Sequence, residues 1–274
     1  MKRLFIVFVC LTMWMVAASA QSYDALCERA ATAIGQDSLL LAEEYIKQAL
    51  KLDPANERNA MLFSNLGTIQ RRQRRYDEAL QSYSFALNAQ PNAVPILLSR
   101  ATLYMELGKD DLARVDYSQA LDVEPTNIEA LLMRAYIYMQ QRNYPFARAD
   151  YQRLLKLDAK HYNARLGLAT LCQREKKPEE ALNVLNEMLE ESPSDALLLT
   201  ARAGVEQDLN RTDAALVDLD EAIRLDATRV EAYLMRGQLY LTQKKKVQAK
   251  QDFEQAMKLG VPYSELRDLL KQCN

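Results

Sequence analysis

The sequence predicts an all-α chain: an α–α superhelix (solenoid) of about seven helical hairpins, closed by a short C-terminal capping helix. Three observations predict it. Residues 100–125, RATLYMELGKDDLARVDYSQALDVEP, and residues 134–159, RAYIYMQQRNYPFARADYQRLLKLDA, align without a gap at a shift of 34, the period of a stacked helix–turn–helix unit. An alanine recurs at Ala42, Ala79, Ala113, Ala147, Ala181, Ala215 and Ala249, spaced 37 once and then 34 five times. Only seven glycines occur in 274 residues, and the abundant Ala, Leu, Gln, Glu, Arg and Lys are helix formers.

The alanine register assigns every other place. Twelve residues earlier stands a small residue: Ala30, Gly67, Ala101, Ala135, Ala169, Ala203 or Gly237. Four residues later stands a large one: Ile46, Tyr83, Tyr117, Tyr151, Leu185, Leu219 or Phe253. Small residues let two helices approach, and a large side chain one turn along fills the gap beside them. Twelve residues after the alanine, Pro54, Pro91, Pro125 and Pro193 block helix continuation, while Ala159, Ala227 and Val261 stand there in the other repeats.

In chain order, the repeats run 23–56, 60–93, 94–127, 128–161, 162–195, 196–229 and 230–263, each with two helices of about fourteen residues. Repeat one has Gly35 and Asp37 at its internal turn and a clear helix over residues 38–52; Glu57, Arg58 and Asn59 are an insertion after it. Gly108 suits a positive φ at the internal turn of repeat three. Pro145 and Pro178 suit the first turn of a second helix, where the missing N–H has no partner anyway. Asp77, Asp110, Glu179 and Asp213 complement the dipole at the same helix starts. Residues 264–274 form the terminal cap, with Leu266, Leu269 and Leu270 set to cover the open end of repeat seven.

This pattern resembles the tetratricopeptide repeat family. The signature reads Ala101, Tyr104, Ala113, Tyr117, Ala120 and Pro125 in repeat three, and it covers nearly the whole chain after the first twenty residues. The resemblance implies right-handed stacking of helix pairs and a concave groove for a protein or peptide partner, lined by the first helix of each repeat. Carried onto this register, the inward places include Thr68, Leu98, Thr102, Met105, Leu132, Tyr136, Met139, Leu166, Thr170, Gln173, Thr200 and Leu234, with Ser64, Arg71, Leu197, Gln207, Gln238 and Leu241 beside them. A Leu/Thr/Gln/Met surface suits an extended or helical segment. It lacks the Lys, Arg and Asn set with which carboxylate-clamp members grip a peptide's end.

The first twenty residues read as a processing signal. Lys2 and Arg3 precede the apolar run 4–16 and then Ala18-Ser19-Ala20, the parts of a secretory leader cut near Ala20. The run is too short to span a bilayer, and the expected location is periplasmic or secreted, with no integral membrane span in the mature chain. Loss of Lys2 and Arg3 leaves 33 basic residues (35 − 2) against 37 acidic, a charge of −4. That balance argues against a general polyanion binder, so nucleic acid is not an expected partner. Arg71, Arg72, Arg74 and Arg75 are the most basic run. Neighbouring acids make a solvated edge the simpler reading of it.

Asp116, Asp150, Asp218 and Asp252 share one place, and each follows an arginine by sixteen residues: Arg100, Arg134, Arg202 and Arg236. These pairs are predicted ion pairs between helices. Repeats two and five, with Leu66/Ser82 and Leu168/Val184, lack both partners; repeat one breaks the rule with Arg29 and Tyr45. Cys27, Cys172 and Cys273 follow the leader, far apart in the register. They are expected as free thiols, the alternative being an intermolecular disulfide through Cys273. One histidine, His161, and three scattered cysteines make no metal set. No catalytic motif occurs, so no catalytic residue, cofactor or metal site is assigned. The expected function is non-enzymatic protein binding in cell-envelope assembly or secretion. The alternative is a self-associating scaffold, a homo-oligomer of an envelope or surface complex.

Overall fold

The computed structural model describes residues 22–273. The predicted leader, residues 1–20, lies outside the described residues. Among the described residues there are fifteen helices and no strand. They divide into two compact units between Ala130 and Leu131. The first holds α1 (Tyr23–Gly35), α2 (Leu39–Leu52), α3 (Asn59–Arg72), α4 (Tyr76–Ala89), α5 (Val94–Glu106) and α6 (Asp110–Val123). Helix α7 (Ile128–Gln140) begins at the division. The second unit continues with α8 (Tyr144–Leu157), α9 (Tyr162–Arg174), α10 (Pro178–Glu191), α11 (Ala196–Asp208), α12 (Thr212–Leu225), α13 (Val230–Thr242), α14 (Lys246–Lys258) and α15 (Tyr263–Gln272). Seven hairpins and a fifteenth helix are the predicted all-α repeat class.

The register alanines are the innermost atoms of the hairpins. All seven are 0% exposed. The residues four places on, from Ile46 to Phe253, are all buried beside them. Where the small place holds glycine, the approach leaves no room for a side chain: a Cβ on Gly67 would lie 2.9 Å from the Tyr83 ring, and one on Gly237 2.7 Å from the Phe253 ring. The three inserted residues divide between two elements. Glu57 and Arg58 lengthen the connection, and Asn59 adds one residue to α3. The buried Asn59 side chain donates to the Asp53 carbonyl at 2.8 Å and accepts from the Tyr23 hydroxyl at 3.0 Å.

Each first helix ends in the same way. The second residue after it turns left-handed at Asp37, Arg74, Gly108, Arg142, Lys176, Asn210 and Lys244, with φ between 57° and 66°. The next N–H then returns to a carbonyl five residues back, as Lys109 N does to Tyr104 O at 2.8 Å. This satisfies a carbonyl that the helix end would orphan. Only Gly108 was anticipated there; six non-glycine residues adopt the same strained conformation. Repeats four and six lack the terminal proline, yet α8 and α12 stop in phase. The Asp158 and Asp226 carboxylates accept from the N–H two residues on, Lys160 at 3.1 Å and Thr228 at 3.0 Å, a turn that competes with helix.

The four predicted Arg–Asp pairs form, each within its own hairpin. Arg100, Arg134, Arg202 and Arg236 make two-pronged bonds of 2.7–2.9 Å to Asp116, Asp150, Asp218 and Asp252. The carboxylates are buried and the guanidinium groups partly so. Arg100, Arg202 and Arg236 also reach the preceding hairpin through a further nitrogen, at Ser84 (3.2 Å), Asn186 (2.9 Å) and Asp220 (2.7 Å) respectively. One guanidinium therefore ties three helices. Repeat one substitutes a different interaction at the same places: the Arg29 guanidinium lies 5.9 Å from the Tyr45 ring centroid, a cation–π contact. In repeat two the Ser82 hydroxyl donates to the Gln70 side chain at 2.7 Å.

Candidate functional site

Among the first-helix places assigned to a partner surface, those of repeats four and five converge. Helices α7, α8 and α9 enclose an open cavity of about 620 Å³ in the second unit. From α7 come Leu132, Met133, Tyr136, Met139 and Gln140; from α9 come Asn163, Leu166, Gly167, Thr170 and Arg174. Helix α8 contributes Tyr144 and Tyr151, and Arg142 enters from the turn. Five of the sequence-assigned residues, Leu132, Tyr136, Met139, Leu166 and Thr170, meet here.

Two departures from the register make this hollow. Thr68 and Thr102 hold the hydroxyls of Tyr83 and Tyr117 at 3.0 and 3.4 Å. Tyr136 replaces that threonine in repeat four, so the equivalent Tyr151 has no such partner. Its hydroxyl turns instead toward Gly167. A Cβ there would meet the Tyr151 oxygen at 2.7 Å, closer than any side chain tolerates. Repeats two, three, four, six and seven carry Asn65, Ser99, Met133, Ala201 and Met235 at the Gly167 place. Glycine alone leaves room for the phenol end. Burial pushes the Tyr151 hydroxyl up to about 12, so it remains a neutral donor at ordinary pH.

The other assigned residues distribute differently. Thr68, Leu98, Thr102 and Met105 belong to the first unit, where Arg71 forms a two-pronged ion pair with Glu106. Gln173 donates to Asp208 at 2.9 Å, and Leu234 packs partly buried against the repeat-seven core. Thr200 corrects the expectation. It is 7% exposed, and its hydroxyl donates to the Ala196 carbonyl at 2.7 Å. At the period of 34 its place is that of Leu132 and Leu166, one turn before the place of Thr68. The groove assigned from the sequence did not include Arg142, Tyr151, Gly167 and Arg174, which also line the cavity. The signal was present in Gly167, the single glycine at its place in the register.

The basic run of repeat two is largely neutralised. Arg71, Arg72 and Arg75 pair with Glu106, Asp37 and Glu43. Cys27, Cys172 and Cys273 are free thiols. Cys273 is buried and its thiol donates to the Leu269 carbonyl at 3.3 Å. His161 caps α9, its Nδ1 accepting from Ala164 N at 3.2 Å. No helix among the described residues is long and apolar enough to cross a membrane.

Comparison with known proteins agrees with this geometry. A tetratricopeptide repeat model matches residues 27–94, 64–127 and 132–196, and a second matches residues 230–259. The chain belongs to the tetratricopeptide repeat family, whose members mediate protein–protein interactions. The crystal structure of a tetratricopeptide repeat protein from Parabacteroides merdae is 34% identical, with a TM-score of 0.74 over 92% of this chain and 98% of that one. The C-terminal part of a repeat protein from Cytophaga hutchinsonii is 16% identical, with a TM-score of 0.66 over 84% and 94%. YrrB, described as a TPR protein with an unusual peptide-binding site, is 16% identical, with a TM-score of 0.50 over 65% and 92%. No curated protein matches the sequence.

Proposed function

We propose that this chain is a non-enzymatic binding module that holds a protein or peptide partner on the surface lined by its first helices. The observation that carries this is the α7–α8–α9 cavity. Apolar walls and a few convergent polar groups in a preformed hollow are the makings of a recognition site, and its residues bring no nucleophile–base pair that would do chemistry. The leader-like first twenty residues support action after export, in the periplasm or outside the cell, in envelope assembly or secretion.

The test is affinity capture from envelope extract, comparing the parent chain with a Leu132→Glu/Tyr136→Ala variant. The charge placed on the apolar wall is expected to abolish recovery of the parent's partners. Equal recovery by both chains overturns the groove assignment. Intact mass of the exported chain checks the leader, with processing expected near Ala20. Exposed apolar side chains on second helices, Phe146 at 58% and Val217 at 68%, favour self-association as the second reading. Light scattering decides it, since a strict monomer rules out the scaffold.

A further inference from the structure

We propose that the α7–α8–α9 cavity takes one bulky apolar side chain from a peptide segment that carries carboxylates on either side of it. This deepens the binding role proposed above and rests on it. The apolar part of the occupant follows from the walls: Leu132, Met133, Met139 and Leu166 line the hollow, and an aromatic or large aliphatic group displaces water from them. The charge follows from the two guanidinium groups that also line it.

Arginines in the second unit are generally committed. Arg134, Arg148, Arg165, Arg202, Arg211 and Arg236 each hold a carboxylate. Arg142 and Arg174 hold none among the described residues, and no Asp or Glu lines the cavity. Two free cations beside an apolar hollow without counter-charge select an acidic neighbour for whatever side chain enters. The Tyr151 hydroxyl is a third unmatched group. It is a neutral donor inside the cavity, where its register threonine is missing, and it suits a carboxylate or backbone carbonyl of the guest.

The register also supplies substitutions that the fold already accepts. Asn210 stands at the place of Arg142, and Gln140 at the place of Arg174. The experiment uses fluorescein-labelled peptides, blocked at both ends, titrated with the purified chain and followed by anisotropy. One has a central phenylalanine flanked by two aspartates on each side. A second replaces phenylalanine by alanine, and a third replaces the aspartates by lysines. The phenylalanine–aspartate peptide is expected to bind at least about 10-fold more tightly than either control, with affinity falling as salt rises. Arg142→Asn/Arg174→Gln is expected to remove about 10-fold of that affinity while its thermal midpoint stays at the parent value. Tyr136→Thr, which restores the register partner of Tyr151, is expected to weaken binding of both phenylalanine peptides.

Equal affinity for aspartate and lysine peptides overturns the proposal. So does equal affinity for phenylalanine and alanine, or unchanged binding in the double arginine variant. If the acidic peptide fails while partner capture still depends on Leu132 and Tyr136, the occupant is wrong and the binding role stands. If the double arginine variant instead dissolves an oligomer of the parent, the occupant is a second copy of the chain, and the proposal falls.

Discussion

Glu206 is the residue at which the repeat pattern and local electrostatics disagree. Its place holds Tyr104, Tyr138 and Tyr240 in three other repeats. One carboxylate oxygen is buried without a hydrogen-bond partner. Burial, then the nearby Asp218 carboxylate, raises its proton affinity against the pull of Arg202 and Arg211. The Arg202 guanidinium beside it is already spent on Asp218 and Asn186. The folded chain therefore holds this proton more tightly than the unfolded chain. Stability is fully retained below the ordinary carboxyl range and declines as pH rises through the raised value. Glu206→Gln is expected to raise the melting midpoint by about 1–3 °C at pH 7, the side chain being partly solvated. At pH 4 the gain should vanish. Calorimetry at the two pH values checks both signs. Glu175 has the opposite sign: hydrogen bonding from Arg148 holds its carboxyl below the usual range. Its contribution is present at neutral pH and lost on acidification.

At the scale of the element, the hairpin is set by its turn and its cross-helix ion pair. The left-handed residue that ends each first helix costs a side-chain-bearing residue roughly 1 kcal/mol relative to glycine. Lys176→Gly and Lys244→Gly are each expected to stabilise by about 0.5–1 kcal/mol in urea titrations, because both turns are exposed and Gly108 shows that the motif accepts glycine. Loss of stability in both would mean that the lysine side chains contribute more than the strain. For the ion pair, Arg202→Leu alone strands the buried Asp218 and is expected to cost about 3 kcal/mol. The double change Arg202→Leu/Asp218→Val copies the apolar pair Leu168/Val184 of repeat five and is expected to recover most of that loss. The pairs then act chiefly as devices of register, since two apolar residues fill the same space.

At the scale of the molecule, stability in a repeat chain is a sum over neighbouring hairpins, so its ends are the weak points. Helix α15 buries Leu266 against a cluster with Tyr233 and Phe253. Deleting residues 263–274 is expected to speed hydrogen exchange in α13 and α14 and leave α9 and α10 unchanged; a uniform increase would show one cooperative block instead. The repeat number, the phase of each helix and the Arg–Asp pairing were legible in the sequence, because each depends on contacts that recur every 34 residues. A repeated contact writes itself into the chain as a period. The cavity was legible only in part. Leu132, Tyr136, Met139, Leu166 and Thr170 could be assigned a common face, but nothing in their spacing said that Tyr151 would swing toward Gly167. Nor did it say that Thr200 would be covered, or that Arg142 and Arg174 would be left without partners. Those outcomes hang on departures from the period, and a departure acquires meaning only through the atoms that close around it or fail to. The sequence thus determined the scaffold, and the tertiary packing alone decided where that scaffold leaves a hollow.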